Sequence, residues 1–222
     1  MTADFSLPPD FAGPIPLKRL ELPPGFDGLL LHSCCAPCSA ALLECLLQNG
    51  IRPTVFFYNP NIEPAAEYDK RRAEWLRLCS LLDLETVVGD YDTVSWHACV
   101  RGHEHDGERS RRCELCFTWR LTASARLAVK LGLGLFTTTL GTSRWKSKKQ
   151  IDAAGRAAEG QVPGSRYWDP DWRKGGLIGR RSELVRAIGF YNQTYCGCAY
   201  SLAERRRRER DRAERLREAG PA

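Results

Sequence analysis

The chain has 222 residues, 43% of them hydrophobic, which suits one compact domain with a core large enough to fold without disulfide staples. It has no run of about 18 apolar residues, which argues against a membrane-spanning helix. Residues 1–24 carry Asp4, Asp10 and four prolines before Lys18 and Arg19, not the basic-then-apolar pattern of a secretory signal, so a cytoplasmic protein with no membrane partner is expected. The formal charge is +6, and much of it sits in the last twenty residues.

Residues 1–27 read as an extended leader lying on the surface. Gly28 to His32 is a short apolar run and reads as a buried strand. Pro37 suits the first turn of a helix that continues through Ala40 to Leu47 and stops at Asn49-Gly50. Thr54 to Tyr58 is a second strand, rich in β-branched and aromatic residues. Asn59-Pro60-Asn61 breaks the chain, Pro64 opens a long helix to about Leu82, and Glu85 to Val88 reads as a third strand. Helices are expected over Thr93 to Val100 and from near Cys113 to about Lys130, with a polar loop over Gly102 to Gly107 between them. A fourth strand over Leu135 to Thr138 and helices over Ser147 to Ala158 and Arg181 to Ile188 complete a domain spanning 28–201.

This alternation predicts an α/β fold with a parallel, doubly wound sheet. A helical C-terminal extension follows over 202–222. There Arg205 to Arg208, Arg210, Arg212, Arg215 and Arg217 interleave with acidic residues. Such a segment is either a phosphate-attracting surface or a solvated helix laced with i,i+4 ion pairs. Ligands of doubly wound sheets bind beyond the carboxyl ends of the strands. Cys34 and Cys35 lie just past the first strand and Thr137 to Ser143 at the end of the fourth, so both are expected to face one crevice.

Ten cysteines in a reducing compartment point to metal ligands or catalytic thiols rather than to a disulfide framework. Cys113 and Cys116 form a C-x-x-C at a helix start, where the helix N-terminus favours thiolates. Cys34 and Cys35 add two thiols at a strand end, giving a four-cysteine set split between two loops. Thiolates suit both zinc and iron–sulfur clusters. Structural zinc sites usually pair two C-x-x-C knuckles, which an adjacent Cys-Cys pair does not match. On residues alone the cluster is favoured, with zinc and thiol redox chemistry still open. Cys35-Ala-Pro-Cys38, between a strand and a helix, also resembles a thioredoxin-like thiol oxidoreductase site, and a non-catalytic zinc module binding RNA through the basic tail is a further alternative. If Cys34 and Cys35 hold a cluster, Cys38 is a spare thiol beside it, suited to a second, mononuclear metal or simply buried. Cys196-Gly-Cys198 would close a small, strained ring, easily reduced, and reads as a redox-active pair. Cys45, Cys79 and Cys99 sit among apolar neighbours and are expected in the core. His103 and His105 lie in a polar loop and are expected to face solvent. The six tryptophans are expected in the core or the cleft, one or two of them stacking on a splayed base.

Leu31-His-Ser-Cys-Cys-Ala-Pro-Cys-Ser39, Tyr58-Asn-Pro-Asn-Ile-Glu-Pro64 with Glu67-Tyr68, Arg112-Cys-Glu-Leu-Cys116 with Arg120-Leu121, Thr137-Thr-Thr-Leu140 with Ser143, Asp171-Trp-Arg-Lys174, and Tyr195-Cys-Gly-Cys198 with Tyr200-Ser201 together resemble the epoxyqueuosine reductase family of the QueH type. The motifs run in the same order from about Gly28 to Ser201. The resemblance implies an adenine nucleotide α-hydrolase-like (HUP) fold and reduction of the epoxide of epoxyqueuosine in a tRNA anticodon loop to queuosine, the last step of that modification. It implies that Cys34, Cys35, Cys113 and Cys116 ligate a 4Fe-4S cluster and that Cys196 and Cys198 form the redox-active pair. Phe117, Trp172 and Asn192 depart from the family's usual Tyr, Phe and Arg. If the Arg usual at position 192 grips an RNA phosphate, that grip would pass to the Arg-rich tail.

The reaction needs two electrons and two protons. A cluster iron, or a mononuclear iron held near Cys38, is expected to polarise the epoxide oxygen, and Cys196 and Cys198 to store or relay the electrons. Asp171, Tyr195 and Lys174 are candidate proton donors by motif position. Arg71, Arg111, Arg112, Arg120, Arg144, Lys146 and Arg173 are the expected phosphate-binding residues. No Gly-rich dinucleotide fingerprint is present, so an external electron donor is expected.

Overall fold

The computed structural model describes residues 9–11, 18–143 and 146–218. Its centre is one parallel sheet of five short strands: β1 (Leu30–Ser33), β2 (Thr54–Phe57), β3 (Thr86–Val88), β4 (Leu135–Thr138) and β5 (Arg166–Tyr167), in the order β3-β2-β1-β4-β5. The chain builds outward from β1 on one side, then returns to the other side of β1 to lay down β4 and β5. The reversal lies between β1 and β4, where a doubly wound sheet opens its ligand crevice.

The period-2 geometry of a strand decides which side each residue packs on. Leu31, Val55, Phe57 and Leu135 point into one core, shared with α1 (Ala36–Gln48), α2 (Ala65–Leu81) and α6 (Leu177–Ile188). Leu30, Phe56 and Phe136 point into the other, shared with α4 (Arg111–Lys130) and α5 (Lys148–Gln161). Burial on both faces is why the strands read as nearly continuous apolar runs. α3 (Thr93–Cys99) packs on α4, and α7 (Ala199–Glu218) follows at the C-terminal end. Among the described residues no helix is long and apolar enough to cross a membrane.

The parallel α/β sheet agrees with the sequence expectation. β5 escapes that expectation: it is two residues long, one of them exposed, too short to show a period. α6 starts at Leu177, four residues before its expected start, after Gly176 in the left-handed conformation. Of the leader expected over 1–27, residues 1–8 and 12–17 lie outside the described residues. Pro9–Phe11 form a single 3-10 turn whose Phe11 is buried in the α1/α6 core.

α1 and α6 are also joined by charge. Glu44, fully buried on α1, receives the Arg180 guanidinium through hydrogen bonds of 2.7 to 3.1 Å. Removing one partner of such a pair strands a buried charge, at a cost of about 3–5 kcal/mol. Arg180→Leu should therefore lower the denaturation midpoint sharply, and adding Glu44→Leu should restore most of the loss. Chemical denaturation of the three proteins checks this.

Candidate metal centre and cavity

β1 ends at Ser33 and α1 begins at Ala36, so Cys34 and Cys35 occupy the connection between them. Cys35 is the N-cap of α1 with extended backbone, Pro37 takes a first-turn position that needs no N–H, and Cys38 follows within that turn. Spacing i, i+1, i+4 across a helix start gathers the three sulfurs. Their Sγ atoms all lie within 4.8 Å of one another, buried, and this is the one such group among the described residues that could hold a metal ion.

The turn is pinned from several directions. Asn59 Nδ2 donates to Ser33 O at 3.0 Å, Ser39 Oγ donates to Cys35 O at 2.8 Å, and Ser33 and Ser39 share a 2.6 Å hydroxyl bond. Thr139, in the 3-10 turn after β4, accepts from Cys34 N at 3.0 Å and donates to Cys34 Sγ at 3.3 Å. Gln193 Nε2 donates to Cys35 Sγ at 2.8 Å and lies 3.9 Å from Cys38 Sγ.

Three thiols this close cannot all ionise without a counter-charge. Hydrogen bonds from Cys35 and Cys38, helped by Lys146 and Thr139, outweigh burial and hold the Cys34 pKa well below its usual value. Burial pushes Cys35 up, and the hydrogen bond with Cys34 pushes Cys38 up. Cys35 and Cys38 share their pocket with a third thiol, Cys34, which a two-cysteine thioredoxin-like site does not contain.

Cys34 and Cys38 open into a cavity of about 680 Å³, with Cys196 on its wall. The cavity is strongly cationic, but its arginines do not behave as the sequence suggests. Arg71, 3% exposed, pairs with Glu67 at 2.7 Å and donates to Cys196 O and Tyr195 O. Arg120 is buried against Tyr58 O and Asn59 Oδ1. Arg112 is buried and donates to the carbonyls of His103, Glu104 and Asp106. Arg173 donates to Gly141 O, Ser143 O and Lys146 O at 2.7 to 2.8 Å. These four side chains brace backbone and are not poised for RNA phosphates. Arg111 pairs with Glu114 at the surface, and Arg144 lies outside the described residues. Lys146 does line the cavity; burial lowers its pKa, but Cys196, Cys34 and Cys38 more than reverse that.

Cys113 packs against the apolar cluster that contains Cys34, Cys35 and Cys38, whereas Cys116 packs with Cys198, Trp96 and Val100. Burial raises both thiols, Cys113 to about 11. Cys38 thus stands inside the tight sulfur group, and Cys113 and Cys116 are not part of it. Cys196 and Cys198 are both free thiols; burial pushes Cys198 up to about 12, and Ser201 N donates to its sulfur at 3.4 Å. Between them Gly197 has φ +131, and an added Cβ would lie 3.0 Å from Ile62 and 3.1 Å from Arg71, so the position requires glycine. Tyr195 lines the cavity but donates its hydroxyl to Glu63 O at 2.7 Å, and burial raises it to about 12. Asp171 is not among the lining residues: its carboxylate accepts from Arg173 N and faces Lys174 at 3.7 Å.

Among the described tryptophans, Trp75, Trp96 and Trp172 are buried, and none of the five lines the cavity; Trp145 lies outside the described residues. Cys45 and Cys79 are in the core, and Cys99 is half-buried beside α4. His103 is half-buried against Asp106 at 3.0 Å. Asn192 stands at the cavity mouth. Gln193 lies outside every motif and emerges only from the fold, while His32 and Thr139 sit within motifs but gain their roles from contacts with Thr138 and Cys34.

The family model described as "Epoxyqueuosine reductase QueH" matches residues 29–204. The "Epoxyqueuosine reductase QueH" of Acinetobacter baylyi is 43% identical over 192 residues, covering 86% of this chain and 88% of that protein. The "Epoxyqueuosine reductase QueH" of Haemophilus influenzae is 43% identical over 187 residues, covering 84% and 76%. The solved NMN synthetase of Francisella tularensis overlays 81% of this chain and 82% of that one with a TM-score of 0.41 at 11% identity, too distant to carry an argument.

His32, fully buried beneath the site, fixes its own tautomer. Tyr58 O can only accept, so Nε2 donates to it at 3.1 Å, and Nδ1 accepts from Thr138 Oγ1 at 2.7 Å. Burial, then Arg120, lowers its pKa from 6.5 to about 3. The folded chain keeps His32 neutral while the unfolded chain protonates it, so its contribution is full above 6.5 and shrinks as pH falls towards 3. Between pH 8 and pH 5 the stability gap between wild type and His32→Gln should narrow by about 2 kcal/mol. Urea titrations at the two pH values measure it.

Proposed function

The chain belongs to the epoxyqueuosine reductase QueH family, and from that premise we propose that its cavity receives the epoxyqueuosine base of a tRNA anticodon loop and reduces the epoxide to the cyclopentene of queuosine. The observation that carries the reading is the group of three buried thiols on a cationic cavity of about 680 Å³. That volume suits one modified base and not a duplex, and a single-stranded loop presents such a base without strand separation. The assignment as an oxidoreductase sets aside the non-catalytic zinc module.

The donor set fits a sulfur-ligated iron centre: soft thiols, buried, with Lys146, Arg71 and Arg120 to answer their charge. Cys34, Cys35, Cys113 and Cys116 are the proposed ligands of a 4Fe-4S cluster, and Cys38 a ligand of a second, mononuclear iron. Such a centre, when bound, supplies single electrons and a Lewis acid for an ether oxygen.

The chain's own residues supply the rest. Reduction of the epoxide consumes two electrons and two protons and releases water. Oxidation of the Cys196 and Cys198 thiols to a disulfide yields two electrons and two protons, and an external reductant restores the pair. Lys146 Nζ, facing the thiols across the cavity, is the proposed proton donor to the leaving oxygen. Asp171 stands away from the cavity wall, and Tyr195 has its proton committed to Glu63 O. Arg71 holds the Cys196 and Tyr195 carbonyls and so orients the redox pair. A cytoplasmic location is the one that goes with a tRNA substrate.

Anaerobically purified protein should be brown, with broad absorbance near ~400 nm. With epoxyqueuosine tRNA and a strong reductant it should yield queuosine on nucleoside digestion. Cys198→Ser should abolish turnover with the absorbance intact, and Cys38→Ala should lose iron and activity. A colourless protein holding one zinc would sink the reading; an iron-replete, active Cys38→Ala protein would remove the second iron alone.

A further inference from the structure

The floor and walls of the cavity accommodate one base, but the strand carrying that base must cross the rim. The arginines closest to the thiols cannot receive it, because they are occupied with backbone carbonyls. One side of the cavity is lined by α7, which contributes Arg205, Arg208 and Arg212. These stand at i, i+3 and i+7, one stripe of a helix. At 1.5 Å rise per residue the stripe is about 10.5 Å long, enough to face more than one backbone phosphate of a single strand. Arg206, Arg207 and Arg210 are exposed on the opposite side and do not line the cavity.

The competing explanation is that these charges only solvate the helix. Arg205 does pair with Glu209 at 2.7 Å and Arg208 with Glu204. Exposed i,i+4 pairs are worth only about 0.3–0.5 kcal/mol, so they do not commit either guanidinium. An RNA phosphate offers each a charge-assisted, bidentate interaction instead. The base of α7 is fixed: Ser201 is buried and donates to Cys198 O at 3.0 Å, and Arg205 also reaches Thr194 Oγ1. The stripe is therefore held in register with the Cys196–Cys198 segment. It also begins one residue past the end of the matched family region.

We propose that Arg205, Arg208 and Arg212 form a ladder that grips consecutive backbone phosphates of the single strand flanking the base in the cavity. The proposal rests on the reading of the cavity as a tRNA-base site and adds where the strand leaves it.

The test compares two charge reversals. Arg208→Glu/Arg212→Glu alters the ladder and spares Arg205, which braces Thr194; Arg206→Glu/Arg210→Glu makes the same charge change on the other side. Glu matches Arg closely in helix propensity, so α7 should persist; Arg208→Gln/Arg212→Gln is the milder second version. Binding of an unmodified anticodon stem-loop RNA is measured by fluorescence anisotropy across a salt series. The ladder variant should bind at least about tenfold more weakly at low salt. Its slope of log affinity against log salt should fall by about 1.4, about 0.7 for each single-strand phosphate no longer neutralised. The opposite-face variant should keep the wild-type slope. Equal weakening in both variants, or none in the ladder variant, overturns the ladder. If wild type fails to convert epoxyqueuosine tRNA, the functional reading fails instead; if wild type converts it while the ladder variant binds normally, only the ladder falls.

Discussion

Burying several thiols within 4.8 Å of each other places a demand on every neighbouring element. A thiolate in low dielectric needs donors and cations around it, and each of those must itself be satisfied. Thr139 and Gln193 supply the donors to sulfur. Lys146, Arg120 and Arg71 supply the positive charge, and the two arginines spend their remaining N–H groups on carbonyls and on Glu67 and Asn59. Because those guanidiniums are locked, the field around the sulfurs is fixed in advance of any substrate. The neutral state of His32 follows from the same crowding: a second cation beside Arg120 in that buried space is too costly.

The sheet topology makes this arrangement possible. β1 is central and ends at the reversal point, so the turn carrying Cys34 and Cys35 meets the 3-10 turn after β4 across a hydrogen-bond distance. The loop after β2 supplies Asn59 from the other side, and α4 packs Cys113 against the same apolar cluster. Cys196 and Cys198 arrive from outside the sheet, on a segment docked by Arg71 and by Glu63 N, which donates to Gly197 O at 2.9 Å.

The strands and most helices are legible in the sequence because burial on both faces leaves long apolar runs and because Pro37, Asn49-Gly50 and Pro64 punctuate them. β5 is not, since two residues carry no period. The cysteine groups are legible as chemistry but not as geometry. Spacing pairs Cys34 and Cys35 with Cys113 and Cys116, while the helix start draws Cys38 into the tightest sulfur group. The arginines mislead for a related reason. A sequence reports charge but not which carbonyls surround it, so Arg71, Arg112, Arg120 and Arg173 look like a phosphate surface and are internal braces. Gln193 has no signal at all, because its importance lies wholly in the sulfurs placed near it by a segment 155 residues or more away.

The segment around Gly197 is made late. All five thiols of the floor and of α4, Cys34 through Cys116, leave the ribosome before any of the stretch that carries Gln193, Cys196 and the base of α7. A nascent chain can lay down its four longer strands by residue 138 while one wall of the cavity has yet to be synthesised. The thiol floor therefore stays open on that side until the C-terminal segment has been made and has docked.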